Sequence, residues 1–280
     1  MDLGILMFPT DTAIDPGELA REVESRGFES LWFPEHTHMP VDHSPHPSGN
    51  ELPEMYKRTY DPFVALTAAA TDTTDLRLGT GICLVAQHHP INLAKQVASL
   101  DRLSGGRFEL GIGYGWNQPE TEQHGIAFDD RRAFVRESVL AMKQLWTEEV
   151  AQYSGDYVQL APTYQWPKPV QRPHPPILLG AALGERTRAA VVEFCDGWMP
   201  IGRRALDDDL PALRGALEAA GRDPDELIVF VYGTKPDEDS LMDLRTRGVD
   251  RVGLWLEPGP RESVIPQLDR LAELLEVVQQ

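Results

Sequence analysis

Short apolar runs alternate along this chain with longer stretches in which apolar residues recur every three or four positions. The first pattern predicts buried strands and the second amphipathic helices. Residues 3–8 form a strand stopped by Pro9. Asp15 and Pro16 then open a helix, with Asp15 as cap, Pro16 in first position and Glu18 completing a capping-box-like pattern. Residues 30–33 are the second strand, Asp61-Pro62 opens the next helix, and 76–84 is the third strand. Pro90 begins a helix through Leu103 that stops at Gly105. Strand four follows at 107–111 and a long helix at 130–146. The remaining strands are 176–180, 197–201, 227–232 and 252–256. Helices over 185–194, 207–220, 237–247 and 263–278 follow them, with Pro266 acceptable only in a first turn.

Eight strand–helix units in order predict an α/β fold, a closed (β/α)8 TIM barrel of one domain over residues 1–280. An open doubly wound sheet is the competing architecture. The dinucleotide fingerprint G-x-G-x-x-G is missing, which favours the barrel. Segments 37–60 (after strand two) and 153–174 (before strand five) are rich in Pro, His and aromatic residues and read as ordered insertions.

A net charge of −18, from 44 acidic against 26 basic groups, argues against a nucleic-acid binder and against adsorption to anionic lipid. The two cysteines, Cys83 and Cys195, sit in apolar surroundings and read as buried thiols, with a disulfide as the alternative. The N-terminus has no basic segment followed by an apolar one, and no apolar run reaches the ~18 residues of a membrane span. A cytoplasmic protein is the simplest expectation.

In a barrel of this kind, chemistry gathers where strands end. Strand two ends at Phe33-Pro34-Glu35-His36, and a carboxylate beside an imidazole can tune proton transfer near neutral pH. Strand four runs into Gly111, Gly113, Gly115 and Trp116, where bare backbone can approach a flat ligand. Strand five runs into Gly180, Ala181 and Gly184 at a helix start carrying Glu185, Arg186 and Arg188, a setting suited to phosphate. Arg203 and Arg204 after strand six can offset the negative field locally. His36, His38, His43 and His46, and the pair His88-His89, lack metal-site spacing, so no metal is expected. No G-x-S-x-G elbow supports a serine hydrolase.

Taken in order, Ser30-Leu31-Trp32-Phe33-Pro34-Glu35-His36, Thr80-Gly81-Ile82, the block from Ala94 to Arg107, Gly111-Ile112-Gly113-Tyr114-Gly115-Trp116-Asn117 and Asp196-Gly197-Trp198 resemble the bacterial luciferase-like monooxygenase superfamily. The chain is most similar to its actinobacterial oxidoreductases that use coenzyme F-420, a deazaflavin. The resemblance implies a TIM barrel, expected as a homodimer, with the cofactor ring at the C-terminal mouth. It implies a non-prolyl cis peptide at Gly81-Ile82 backing that ring. It places the family's acidic residue and histidine on Glu35 and His36, although many relatives carry Asp at the first position. The phosphate-side segment falls on residues 180–186, with Ala181-Ala182 where relatives commonly have a second glycine pair.

The implied reaction is hydride transfer between the deazaflavin and a small organic substrate, with His36 as proton donor or acceptor tuned by Glu35, and with Trp32 and Trp116 shaping the pocket. One alternative is an FMN-dependent monooxygenase that uses oxygen and reduced flavin from a separate cofactor reductase. Another is a non-catalytic flavin- or deazaflavin-binding barrel. The aromatic residues of the two insertions suggest an apolar or ring-containing substrate.

Overall fold

The computed structural model describes residues 1–202 and 206–279, so Arg203 and Arg204 lie outside the described residues. Eight strands among them close into a barrel: β1 (Asp2–Leu6), β2 (Ser30–Phe33), β3 (Arg77–Thr80), β4 (Phe108–Gly113), β5 (Ile177–Leu179), β6 (Gly197–Trp198), β7 (Ile228–Tyr232) and β8 (Arg251–Trp255). Each pairs in parallel with the next, and β8 returns to β1 with Asp2 opposite Arg251. Helices cover the outside, so strands are buried on both faces, which explains their unbroken apolar runs. The caps are as the local sequence predicts. Asp15 accepts from the N–H groups of Gly17 and Glu18 at 2.9 and 3.1 Å, and Asp61 from that of Val64 at 2.9 Å.

The barrel interior holds Leu6, Trp32, Leu178, Met199 and Phe230. Trp32 packs 4.5 Å from Phe230 between ring centres and donates to Ser30 Oγ at 2.8 Å. Its indole occupies the place where a side chain on Gly79 would sit. Trp32 is therefore a core residue and does not shape the pocket. At the N-terminal end, buried Glu109 accepts from Arg251 at 2.8 Å and from Arg77 at 3.2 Å, while Glu29 pairs with Arg251 at 2.9 Å. Charge plugs the end of the barrel that carries stability, leaving the other end for chemistry.

Several boundaries differ from expectation. The third strand stops at Thr80, before the cis peptide Gly81-Ile82, and resumes as Cys83–Leu84 beside β4. β4 extends two residues beyond Gly111, and β6 is only Gly197–Trp198, with an isolated bridge from Ile201 to Tyr232. The insertion before β5 contains an antiparallel hairpin, Ala151–Ser154 with Gln159–Thr163. Its turn is held from outside: Glu137 accepts from the N–H groups of Asp156, Tyr157 and Val158 at 2.9, 2.7 and 2.9 Å. The last helical segment divides into Arg261–Ala272 and Leu275–Gln279. Pro266 is the sixth residue of the first piece, beyond its first turn. Burial of Val264, Leu268 and Leu271 holds that helix despite the hydrogen bond the ring removes. Both cysteines are buried and free. No helix among the described residues is long and apolar enough to cross a membrane.

Candidate active site

A cavity of about 790 Å³ opens at the C-terminal mouth of the barrel. All eight strands supply wall residues at or just beyond their ends. Leu6 comes from β1, Glu35 and His36 follow β2, and Gly81 and Ile82 follow β3. Gly115 and Trp116 follow β4, and Gly180 and Ala181 follow β5. Ile201, Tyr232 and Trp255 come from the ends of β6, β7 and β8. The first insertion adds His46 and Tyr56, the turn before the long helix Arg131–Thr147 adds Phe128, and the first two residues of that helix add Arg131 and Arg132.

His36 is buried, and its Nδ1 lies 3.0 Å from both carboxylate oxygens of Glu120. A carboxylate accepts, so Nδ1–H points to Glu120 and Nε2 is left for other partners. Glu120 belongs to the short helix Gln118–Gln123. Asn117 braces it, donating to Glu120 Oε2 at 3.3 Å and accepting from the Ser44 N–H at 2.9 Å. The insertion is thereby tied to the carboxylate. Aromatic rings enclose the imidazole, with Tyr56 at 5.0 Å, Trp116 at 6.0 Å and Phe8 stacked at 6.5 Å. Burial pushes the Tyr56 hydroxyl up, so it stays protonated at neutral pH.

Glu35 does not tune His36 directly. Its carboxylate accepts from the Leu84 N–H at 2.6 Å and meets His88 Nε2 at 2.8 Å. Burial alone would raise the Glu35 carboxyl, but bonds from His88, Leu84 and Cys83 outweigh it and hold the group below its ordinary value. Burial would likewise lower His88, yet Glu35 raises it. Glu35, Cys83 and His88 bring a carboxylate, a thiol and an imidazole within 4.8 Å of one another. Each already bonds another member of the group, and burial pushes the Cys83 thiol well up, so it stays neutral. The trio works as an internal clamp on the Gly81–Leu84 turn.

The cis peptide at Gly81-Ile82 lies in the cavity wall, as the resemblance implies. The glycines of β4 behave differently from expectation. A side chain on Gly111 would meet the Thr80 carbonyl, and one on Gly113 would meet the Ile82 side chain. Both glycines make room for the β3 turn, and neither presents bare backbone to the cavity. A Cβ added at Gly180 would likewise lie 2.8 Å from Ile82 Cγ2, but Gly180 remains in the wall. Gly115, at φ +75°, also lines the cavity in a conformation that favours glycine. Gly184, Glu185 and Arg186 are exposed at their helix start and do not line it.

The cations in the wall are instead Arg131 and Arg132, which sequence reasoning read only as the start of a helix. Arg132 sits 4.1 Å over the Tyr114 ring and Arg131 3.5 Å over Phe128. Neither forms an ion pair among the described residues. Burial pushes the Tyr114 hydroxyl up to about 12.

Residues 10–235 match the family model described as luciferase-like monooxygenase. An uncharacterized protein of Mycobacterium tuberculosis is 40% identical over 280 residues, covering 98% of this chain and 99% of that protein. The F-420-dependent hydroxymycolic acid dehydrogenase of the same organism is 29% identical over 213 residues, 74% of this chain and 55% of that protein. Other similar proteins are named for F-420 or for flavin. The crystal structure of the monooxygenase RslO1 from Streptomyces bottropensis superposes with a TM-score of 0.84 at 25% identity, covering 100% of both chains.

Proposed function

This chain belongs to the luciferase-like monooxygenase family and is an oxidoreductase, and from that premise we propose that it transfers a hydride between coenzyme F-420 and a small organic substrate. The observation that carries this reading is His36, held by Glu120, in the wall of a mostly apolar cavity that also contains the Gly81-Ile82 turn. The residues present fit a flat cofactor with an anionic tail. Aromatic and aliphatic side chains line most of the wall, and Arg131 and Arg132 in it form no salt bridge among the described residues.

When bound, the deazaflavin supplies or accepts the hydride. The chain handles the proton. In the oxidative direction, His36 Nε2 takes the hydroxyl proton of an alcohol as the hydride leaves carbon, while Glu120 orients the ring through Nδ1 and stabilises the imidazolium. In the reductive direction, the same nitrogen returns that proton to a carbonyl oxygen. Tyr56, Trp116 and Phe8 exclude water around the imidazole. Arg131 and Arg132 offset the charge of the anionic tail in a chain whose net charge is −18.

A second reading, an FMN-dependent monooxygenase fed by a separate reductase, draws support from the superposition on a monooxygenase. Titration of the purified protein with F-420 and with FMN in separate experiments distinguishes the two. Saturable binding of F-420, with FMN at least tenfold weaker, is the expected result. The reverse preference transfers the chain to the monooxygenase reading.

A further inference from the structure

A second cavity, of about 280 Å³, lies beside the barrel mouth. It sits between the turn Val85–Gln87, the helix Arg131–Thr147 and the hairpin strand Gln159–Thr163. A hydrogen bond links the two linings: His88 lines this cavity, and its partner Glu35 lines the other.

The lining combines two chemistries. The helix Arg131–Thr147 and the hairpin give it Phe134, Ala141, Leu145 and Leu160, with the polar Tyr157 and Gln159 beside them. The turn Val85–Gln87 and the two residues after it give Gln87, His88 and the exposed His89; of these, Gln87 and His89 keep donors that their hydrogen bonds do not use. The Thr37 hydroxyl donates to Gln87 Oε1 at 3.0 Å, so the amide nitrogen of this buried side chain keeps its hydrogens, with no partner among the described residues. His89 Nδ1 accepts from the Ile91 N–H at 3.3 Å, which puts the ring proton on Nε2. His88 gives Nε2–H to Glu35, and its other nitrogen has no partner among the described residues. No Asp or Glu among the described residues lines the cavity, although the chain has 44 of them.

Unspent donors, apolar carbon and no acidic group in one lining are the requirements of a small anion with an apolar body. We propose that this cavity is a second ligand site, distinct from the barrel mouth, that takes a small monocarboxylate with an apolar or aromatic body. The carboxylate faces Gln87 and His89, and the body packs against Phe134 and Leu145. The volume suits a molecule of benzoate size and is too small for a flavin or deazaflavin. The site stands independently of the reaction at the barrel mouth.

The test is a titration of the full chain with 4-fluorobenzoate, followed by fluorine NMR. One saturable site is expected. Gln87→Leu removes the free donor at nearly constant shape, and Ala141→Phe fills the cavity from the helix side. Each should weaken binding at least tenfold, whereas His36→Ala, in the barrel mouth, should change it less than twofold. 4-Fluorobenzyl alcohol, which has the same body without the charge, should bind at least tenfold more weakly than the acid. The proposal is overturned by absence of saturable binding, by equal binding of the alcohol, by binding indifferent to Gln87→Leu, or by loss of binding in His36→Ala. Gln87→Leu decides the matter if Ala141→Phe does not fold.

Discussion

Nδ1 of His36 lies 3.0 Å from both carboxylate oxygens of Glu120, a residue 84 positions further along the chain. The carboxylate adjacent in sequence, Glu35, instead turns to Leu84 and His88. The pair proposed to handle the proton is therefore assembled across the barrel mouth, and Glu35 serves the Gly81–Leu84 turn.

Replacing His36 by Ala should lower kcat by about 10²–10⁴-fold, the usual contribution of a positioned acid or base, with cofactor affinity changed less than threefold. Steady-state kinetics beside a direct binding titration will check this. Unchanged turnover would remove His36 from the mechanism.

Glu120→Gln keeps an acceptor for Nδ1–H but removes the negative charge beside the imidazole. Turnover should fall at least tenfold, because the charge that develops on the imidazole loses its counter-charge, while cofactor affinity stays within threefold of wild type. Steady-state kinetics beside a binding titration read both. Unchanged turnover in Glu120→Gln would reduce Glu120 to a packing role.

The Glu35–His88 pair makes stability depend on pH at both ends. Against the opposition of burial, Glu35 raises the His88 pKa in the fold. The stabilisation is fully present below its ordinary value of 6.5 and is lost as pH rises through the higher folded value. Glu35 is held below 4.5 in the fold by its hydrogen bonds, again against burial. Its contribution is present above 4.5 and is lost as pH falls through the lower folded value. Thermal melts of wild type should fall off above pH 6.5, and His88→Gln should flatten that slope. Glu35→Gln, which leaves a buried imidazolium without its counter-charge, should cost about 3–5 kcal/mol in denaturant unfolding.

Gly113→Ala places a methyl group where the Ile82 side chain lies. Overpacking of this kind costs about 1–3 kcal/mol. Ile82→Ala in the same chain should recover part of the loss, so a double-mutant cycle will show a coupling of at least about 0.5 kcal/mol. Additive effects would mean that Gly113 and Ile82 do not compete for the same space.

Arg132→Ala should weaken binding of the anionic cofactor about tenfold and reduce its salt dependence, and Arg131→Ala should act in the same direction. Arg186→Ala, at an exposed helix start outside the cavity wall, is the comparison. Isothermal titration at two salt concentrations reads all three. A larger loss in Arg186→Ala would move the anion to the helix start after β5.

The order of strands and helices, the caps at Asp15 and Asp61 and the barrel itself could be read from the chain alone. Those features depend on the period of apolar positions and on hydrogen bonds between residues two or three apart. The position of His36 at the barrel mouth could be read the same way, because it follows a strand end. Four things needed the tertiary structure: the choice of Glu120 over Glu35 as partner of His36, the placing of Arg131 and Arg132 in the cavity wall, the role of Gly111 and Gly113 in seating the β3 turn, and the hairpin held by Glu137. Each depends on where a loop or helix returns after tens of residues, and local periodicity carries no record of that. Side chains distant in sequence meet only once the closed barrel has set the direction of every strand end.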